Sequence, residues 1–287
     1  MAKRAKQQRA DRYVAHKSVK ASAAAKAIQS AYKIEVRFMG GLTATQKAAF
    51  KKAADRWTKV IIGDLPTVMV GGEPIDDLLI EAKGIPIDGP GGVLGQAGPT
   101  NLRPASAGAA AFLPAKGIMQ FDTADLAQME ADGTLVDVIA HEMGHVIGIG
   151  TIWEDKGLLD GAGTANPTFT GAKAKKAFGV LKGKGPTPVP VENRFGEGTR
   201  DSHWRESVFK NELMSGIIAG TGNPLSRLTA ASLQDLGYKV NLSAVEPYSL
   251  PNLQLLAEKG LLLTAPEHRH TLPIFSPKVL PDDSLVV

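Results

Sequence analysis

The stretch His141-Glu-Met-Gly-His145 decides both fold and chemistry, and it lies in a helical pattern that runs from Thr134 to Val146. Residues four apart share one face of an α-helix, so the two imidazoles can bind one metal ion from the same side. Imidazole nitrogens suit Zn²⁺, which prefers four ligands in a tetrahedron. Glu142 is rotated by about 100° from His141, so we expect it to accept a proton from a metal-bound water rather than to ligate.

A catalytic zinc site needs a third protein ligand and keeps the fourth position open. The close spacing H-E-x-x-H-x-x-G-x-x-H would place a histidine at position 151, but Thr151 stands there, although Gly148 is present. The third ligand must therefore come from further along the chain. The downstream candidates are the histidines His203, His268 and His270 and the glutamates Glu154, Glu192, Glu197, Glu206 and Glu212.

The composition excludes several other classes of protein. The 287 residues contain no cysteine, which excludes disulfides, thiolate metal ligands and a cysteine nucleophile. Hydrophobic residues make up 43% and charged residues 22%, so the chain is globular rather than wholly disordered. No run approaches the roughly 18 apolar residues that mark a membrane span. We expect a monomer of one large domain or two small ones.

The net charge of +4 is distributed unevenly along the chain. Residues 1–33 carry nine Lys or Arg and one acid, Asp11, whereas the remainder is slightly acidic. This composition predicts a basic, flexible N-terminal arm that can contact a polyanion or a carrier. No hydrophobic stretch follows the basic start, so no Sec signal peptide is predicted. The expected location is therefore the cytoplasm, or an export route other than Sec.

Hydrophobic periodicity divides the rest of the chain. Strands are predicted at 34–38, 67–70, 77–82 and 117–121, and residues 84–107 are predicted to be loops around one short strand. Helices are predicted from Thr43 to about Val60, from 134 to 146, near 171–178 and at 228–237. The proline-rich tail 246–287 is expected either to wrap over the body or to form a separate appendage.

Two further stretches accompany the histidine motif, namely Asp201-Ser-His203-Trp204 and Asn211-Glu-Leu-Met214. Together with residues 141–148 they resemble the leishmanolysin-type metallopeptidases, which are metzincins with an insertion between the glycine and the third zinc histidine. Four other stretches are similar to bacterial members of that family and extend the resemblance to roughly 34–245: 38–43, 91–99, 119–122 and 232–238.

The resemblance implies roles for six residues. His141, His145 and His203 match the ligands of one catalytic Zn²⁺, and Glu142 matches the general base. Met214 matches the methionine beneath the zinc, and Gly148 matches the turn that redirects the chain under the cleft. The family's disulfides and its cysteine-based latency are impossible here, because cysteine is absent.

The implied fold is α+β and zincin-like. An upper subdomain, 34–150, would hold a twisted mixed β-sheet and the active-site helix. A lower, largely irregular or helical subdomain, 151–245, would carry the insertion, and the cleft would lie between the two.

The implied function is a zinc-dependent endopeptidase. We expect its protein or peptide substrate to lie extended along an edge strand at 92–100 or 117–121. One alternative is a gluzincin-like peptidase with Glu206 or Glu212 as the third ligand. Another is a delivered or binding protein that uses its basic arm and has a non-catalytic zinc site.

Overall fold

The computed structural model describes residues 11–16, 31–91, 94–196, 198–218, 220–252, 256 and 276–286. Its strands are β1 (Arg12–His16), β2 (Lys33–Phe38), β3 (Val68–Val70), β4 (Glu73–Ile75), β5 (Leu78–Ile85), β6 (Gly95–Leu102), β7 (Pro114–Asp122), β8 (Leu159–Asp160), β9 (Thr168–Phe169), β10 (Val189–Pro190) and β11 (Lys278–Val279). Its helices are α1 (Ala44–Val60), α2 (Thr123–Asp132), α3 (Leu135–Ile147), α4 (Ala172–Leu181), α5 (Glu206–Phe209) and α6 (Arg227–Leu236). Among these helices none is both long and apolar enough to cross a bilayer.

A mixed six-stranded sheet forms one layer of the fold, with the strand order β1-β2-β5-β7-β6-β11. Strands β2, β5 and β7 run parallel, β1 is antiparallel to β2, and β6 is antiparallel to β7. Strand β11 pairs in parallel with the end of β6. The predicted mixed sheet is confirmed, whereas the division into two subdomains with a cleft stays a prediction.

Most predicted elements are confirmed, but others were not predicted, among them the short strands β4, β8, β9 and β10 and the short helix α5. Strand β6 covers eight residues, although only a short strand was expected within 84–107. Helix α2 was not predicted because only Leu126 and Met129 give it a buried apolar side. The side chain of Asp122 starts this helix by accepting the Ala124 N–H at 2.7 Å, and Gly133 ends it in the left-handed conformation.

Part of the predicted arm belongs to the sheet, which corrects the expectation of a flexible segment over all of residues 1–33. Strand β1 pairs with β2 over its whole length, and the Tyr13 hydroxyl donates to Asp55 Oδ1 at 2.7 Å. Ala15 and Tyr32 are buried in the main core. The other residues of the arm, 1–10 and 17–30, lie outside the described residues, so the polyanion contact stays a prediction.

Residues 276–286 of the tail pack against the body. The Leu280 N–H donates to Leu102 O at 2.9 Å beside β11, and the Val286 N–H donates to Thr67 O at 2.9 Å. Leu280 itself belongs to a small second core with Val68, Ile75, Leu79 and Ala115. Residues 276–286 of the tail therefore wrap over the body, which was one of the two arrangements expected for the tail.

Helix α3, which carries the histidine motif, is held between the sheet and α1. The Trp57 side chain from α1 is fully buried, and its indole N–H donates to Ala140 O at 2.8 Å. On the sheet side, a Cβ added to Gly117 would lie 2.4 Å from Val146 Cγ1. The absence of a side chain at Gly117 therefore lets the motif helix lie directly on β7.

An ionic cluster around Arg56 joins α1, α3 and the start of the tail. Its guanidinium donates to Asp137 Oδ1 at 3.0 Å and to both oxygens of Glu246 at 2.8 and 2.5 Å. It also donates to Asn223 O. Only 16% of the Arg56 side chain and 15% of the Asp137 side chain are exposed, whereas 40% of the Glu246 side chain is exposed, so the cluster is partly shielded from water. The cluster fixes the first turn of α3, one turn before His141.

We expect Arg56→Ala to lower the free energy of unfolding by about 2–3 kcal/mol, because it leaves two partly buried carboxylates without their cation. Urea unfolding measures this change. The control is Arg12→Ala, which removes an exposed pair with Glu35 at 3.5 Å and should cost less than about 1 kcal/mol. Equal losses in the two variants would contradict the role of the cluster.

Candidate metal centre

Three histidine side chains converge on one point inside the protein. The Nε2 atoms of His141, His145 and His203 lie 3.0–3.1 Å from one another. All three residues are at most 1% exposed. Helix α3 supplies the first two histidines four residues apart, as the motif predicted, and a loop supplies the third.

A backbone carbonyl orients each of the three rings through its other nitrogen. The Nδ1 atom of His141 lies 2.6 Å from Leu213 O, that of His145 lies 2.8 Å from Ile149 O, and that of His203 lies 2.9 Å from Thr199 O. A carbonyl only accepts, so in each ring Nδ1 carries the proton and Nε2 keeps its lone pair. Three converging lone pairs repel one another unless a cation lies between them.

The donor set fits zinc. Four ligands at the usual Zn–N length of about 2.0–2.1 Å in a tetrahedron would place their nitrogens about 3.3–3.4 Å apart. The observed separations are shorter by about 0.3 Å, which small rotations of the rings can supply. Metal-binding histidines commonly donate their other N–H to a carbonyl or carboxylate, and all three rings do so here.

Of the glutamates considered as third ligand, none belongs to this group within the part of the chain that the structure describes. The Glu212 carboxylate is fully buried and accepts the hydroxyls of Ser226 and Thr229 at 2.6 and 2.5 Å and the Met214 N–H at 2.6 Å. Burial raises the pKa of Glu212 above its usual range, although these hydrogen bonds oppose the shift. Glu212 thus connects Met214 to the start of α6.

Glu206 also lies apart from the three histidines. It is 8% exposed, and its burial raises the pKa of its carboxyl to about 7. Glu192 is buried beside the His203 loop, and Glu154 is exposed. His268, His270 and Glu197 lie outside the described residues.

Met214 is fully buried next to the motif helix. A Cβ added to Gly144 would stand 2.6 Å from Met214 Sδ and 3.0 Å from a ring carbon of Trp57. The Met214 carbonyl accepts the Trp204 N–H at 2.9 Å, which ties it to the residue after His203. The glycine inside the motif therefore makes room for a methionine 70 positions away, a contact that the sequence pattern did not reveal.

Two glycines turn the chain after α3. Gly148 ends the helix in the left-handed region, with φ of +117°, and donates its N–H to Gly144 O and His145 O at 3.1 Å. Gly150 also has positive φ, +79°, and a Cβ there would lie 2.0 Å from Ser202 O. Both glycines were expected to end the helix, but the close approach of Gly150 to Ser202 was not predicted.

The fold and this centre define a mixed α/β protein with a group of three histidines that could hold a metal ion. The family model described as leishmanolysin matches residues 105–253, more than half of the chain, and the chain belongs to that family of zinc metallopeptidases.

Individual relatives are similar over shorter stretches. A leishmanolysin homolog from Crithidia fasciculata is 30% identical over 145 residues, which cover 46% of this chain and 21% of that protein. Leishmanolysin-like peptidases from Caenorhabditis elegans and Caenorhabditis briggsae are each 41% identical over 76 residues, 26% of this chain and 11% of theirs. The matched part thus spans about a fifth or less of the length of these relatives.

Gly150→Ala should displace the His203 loop, because its Cβ would collide with the backbone of Ser202. We expect a loss of stability about 1–3 kcal/mol larger than in the control, together with weaker zinc binding. The control is Gly157→Ala, where φ is also positive, +62°, but no atom lies within 4 Å of the added Cβ. Thermal unfolding and zinc titration of both variants measure the difference, and identical behaviour would refute the contact.

Proposed function

We propose that this chain is a zinc-dependent endopeptidase of the metzincin type, similar to the bacterial members of its family. The observation that carries the proposal is the convergence of three Nε2 lone pairs, each fixed by an Nδ1 hydrogen bond to a backbone carbonyl. His141, His145 and His203 would hold the metal. A zinc ion bound there supplies Lewis acidity, which polarises a carbonyl group and lowers the pKa of water to about 7.

Glu142 is proposed as the general base. It follows His141 directly on α3, so its side chain leaves the helix at a different angle from the two histidines. It is 6% exposed. We assign its carboxylate to accept the proton of the attacking water and then to deliver that proton to the nitrogen of the leaving amine.

Met214 and Gly148 are proposed as supports of the site. Met214 fills the space beside Gly144 on the motif helix and is bonded through its backbone to Trp204. Gly148 lets the chain leave α3 in a conformation that a residue with a side chain rarely adopts. Neither residue offers a group for proton transfer, so their role is to keep the rings in place.

The substrate is proposed to be a protein or peptide that pairs with β6. The alternative edge at 117–121 is wrong, because β7 lies between β5 and β6. In the described part of the chain, no strand pairs with residues 95–100 of β6 on the side away from β7.

The gluzincin-like alternative receives no support from the contacts of Glu206 and Glu212, which place both outside the histidine group. We expect His203→Ala to weaken zinc binding by more than about 100-fold, because even an outer-shell partner commonly contributes 10–100-fold. Glu206→Gln should retain the zinc. Metal analysis of both purified variants measures this, and the reverse pattern would overturn the assignment of the third ligand.

Glu142→Gln should keep the fold and the zinc but lose peptide hydrolysis by about 10²–10⁴-fold, the usual contribution of a general base. The measurement is the cleavage rate of a peptide mixture, with metal content and thermal unfolding as controls. A chelator should abolish the activity of the unaltered chain. A zinc-loaded Glu142→Gln protein that cleaves at the normal rate would rule out this mechanism.

A further inference from the structure

Glu192 lies beside His203, the third histidine of the candidate site. The sequence indicated Glu192 only as a candidate ligand, not as a residue that contacts the loop of His203. Its N–H donates to His203 O at 2.8 Å, and its carbonyl accepts the Asp201 N–H at 2.9 Å. These two bonds pair the backbone of Glu192 with the residues before and after Ser202, namely Asp201 and His203. The segment at Glu192 therefore runs alongside the loop that presents His203.

The carboxylate of Glu192 gathers three further backbone N–H groups. Its Oε1 accepts those of Asn193 and Arg194 at 2.9 Å each, and its Oε2 accepts that of Glu206 at 2.7 Å. The first two begin the glycine-rich loop that leads to His203, and the third begins the short helix α5 after it. One buried side chain thus fixes both ends of the segment 193–206.

The segment between these ends needs such support. It contains the carbonyl of Thr199, which orients the His203 ring at 2.9 Å. Its backbone includes two non-glycine residues with positive φ, Phe195 at +69° and Asp201 at +66°, a conformation that costs free energy. The three N–H groups bonded to the Glu192 carboxylate offset part of this cost, because each bond satisfies a backbone donor that would otherwise be left without a partner.

We propose that Glu192 is the positioning residue for the third metal ligand, a role that rests on the proposed zinc site. It does not touch the metal; it holds the loop so that Thr199 O and the His203 ring keep their mutual orientation. Glu192 is 1% exposed, and its carboxylate accepts all three of these N–H groups. Loss of this acceptor leaves three N–H groups without their partner and lets the loop move.

The test is the binding of Zn²⁺ and Co²⁺ to the full chain carrying Glu192→Ala or Glu192→Gln. We expect Glu192→Ala to weaken zinc binding by about 10–100-fold, the usual effect of losing an outer-shell partner. The visible absorption of bound Co²⁺, which reports ligand geometry, should shift and broaden. Glu192→Gln should fall in between, because its amide oxygen can still accept the N–H groups of Asn193 and Arg194 whereas its NH₂ faces that of Glu206.

Glu206→Gln is the matched control. Glu206 is the same residue type in the same buried neighbourhood; its backbone N–H, which bonds to Glu192, is kept in this variant, and only its own carboxylate is replaced. Its Co²⁺ spectrum and zinc affinity should equal those of the unaltered chain. Arg12→Ala, which removes an exposed ion pair with Glu35, is a second control and should leave the spectrum unchanged. All spectra are recorded well below the unfolding temperature of each variant.

Amide hydrogen exchange without metal gives a readout that does not depend on zinc or on hydrolysis. The N–H groups of Asp201 and Trp204, which flank His203 and bond to backbone carbonyls rather than to the Glu192 carboxylate, should exchange faster in both Glu192 variants. A folded Glu192→Ala or Glu192→Gln protein with unchanged exchange, affinity and spectrum overturns the inference. An unaltered chain that binds zinc but cleaves no peptide overturns the proposed function and leaves the Glu192 result standing.

Discussion

Hydrogen bonds from three imidazoles to three backbone carbonyls are the constraint on which the rest of this structure depends. Without them each ring could rotate or exchange its tautomer, and the three Nε2 atoms would not share one point. The carbonyls belong to Ile149, Thr199 and Leu213, and thus to three separate turns of the chain. The metal centre is therefore built as much by the path of the backbone as by the histidines, and its conformation is sensitive to residues that never approach a metal.

Aromatic packing orders the long insertion, since the chain has no cysteine to do so. Between His145 and His203 lie 57 residues. The start and the end of this insertion meet where Trp153 stacks on Trp204, with their ring centroids 4.8 Å apart. The Phe169 ring lies edge-on to that of Trp204, with ring centroids 5.6 Å apart, and the side chains of Trp153, Phe169 and Trp204 are fully buried. Such pairs contribute about 0.5–1.5 kcal/mol each beyond the area that they bury. Because Trp204 follows His203 directly, the cluster that holds the insertion also holds the third histidine of the candidate site.

The sequence was sufficient to predict the parts of the site that depend on local periodicity. The helix spacing of His141 and His145 and the capping of α1 by Thr43 follow from rules that act within one or two turns. Spacing alone left His203 among eight candidates, and the family resemblance selected it. The contact of Gly144 with Met214 and that of Gly150 with Ser202 could not be predicted from the sequence. Each joins residues more than 50 positions apart, and the glycine is the only indication of the contact in the sequence.

Three glutamates near the candidate metal centre show why residue type alone does not determine role. Glu212 accepts two hydroxyls and a backbone N–H, which commits its oxygens to joining Met214 and α6. Glu192 is committed in the same way to three N–H groups around the His203 loop. A carboxylate so fixed is held in its place and cannot easily reorient to carry a proton from a water to an amine. In the proposed mechanism Glu142, which lies on the same helix as His141 and His145, transfers the proton, while Glu192 and Glu212 provide the framework that keeps the three histidines convergent.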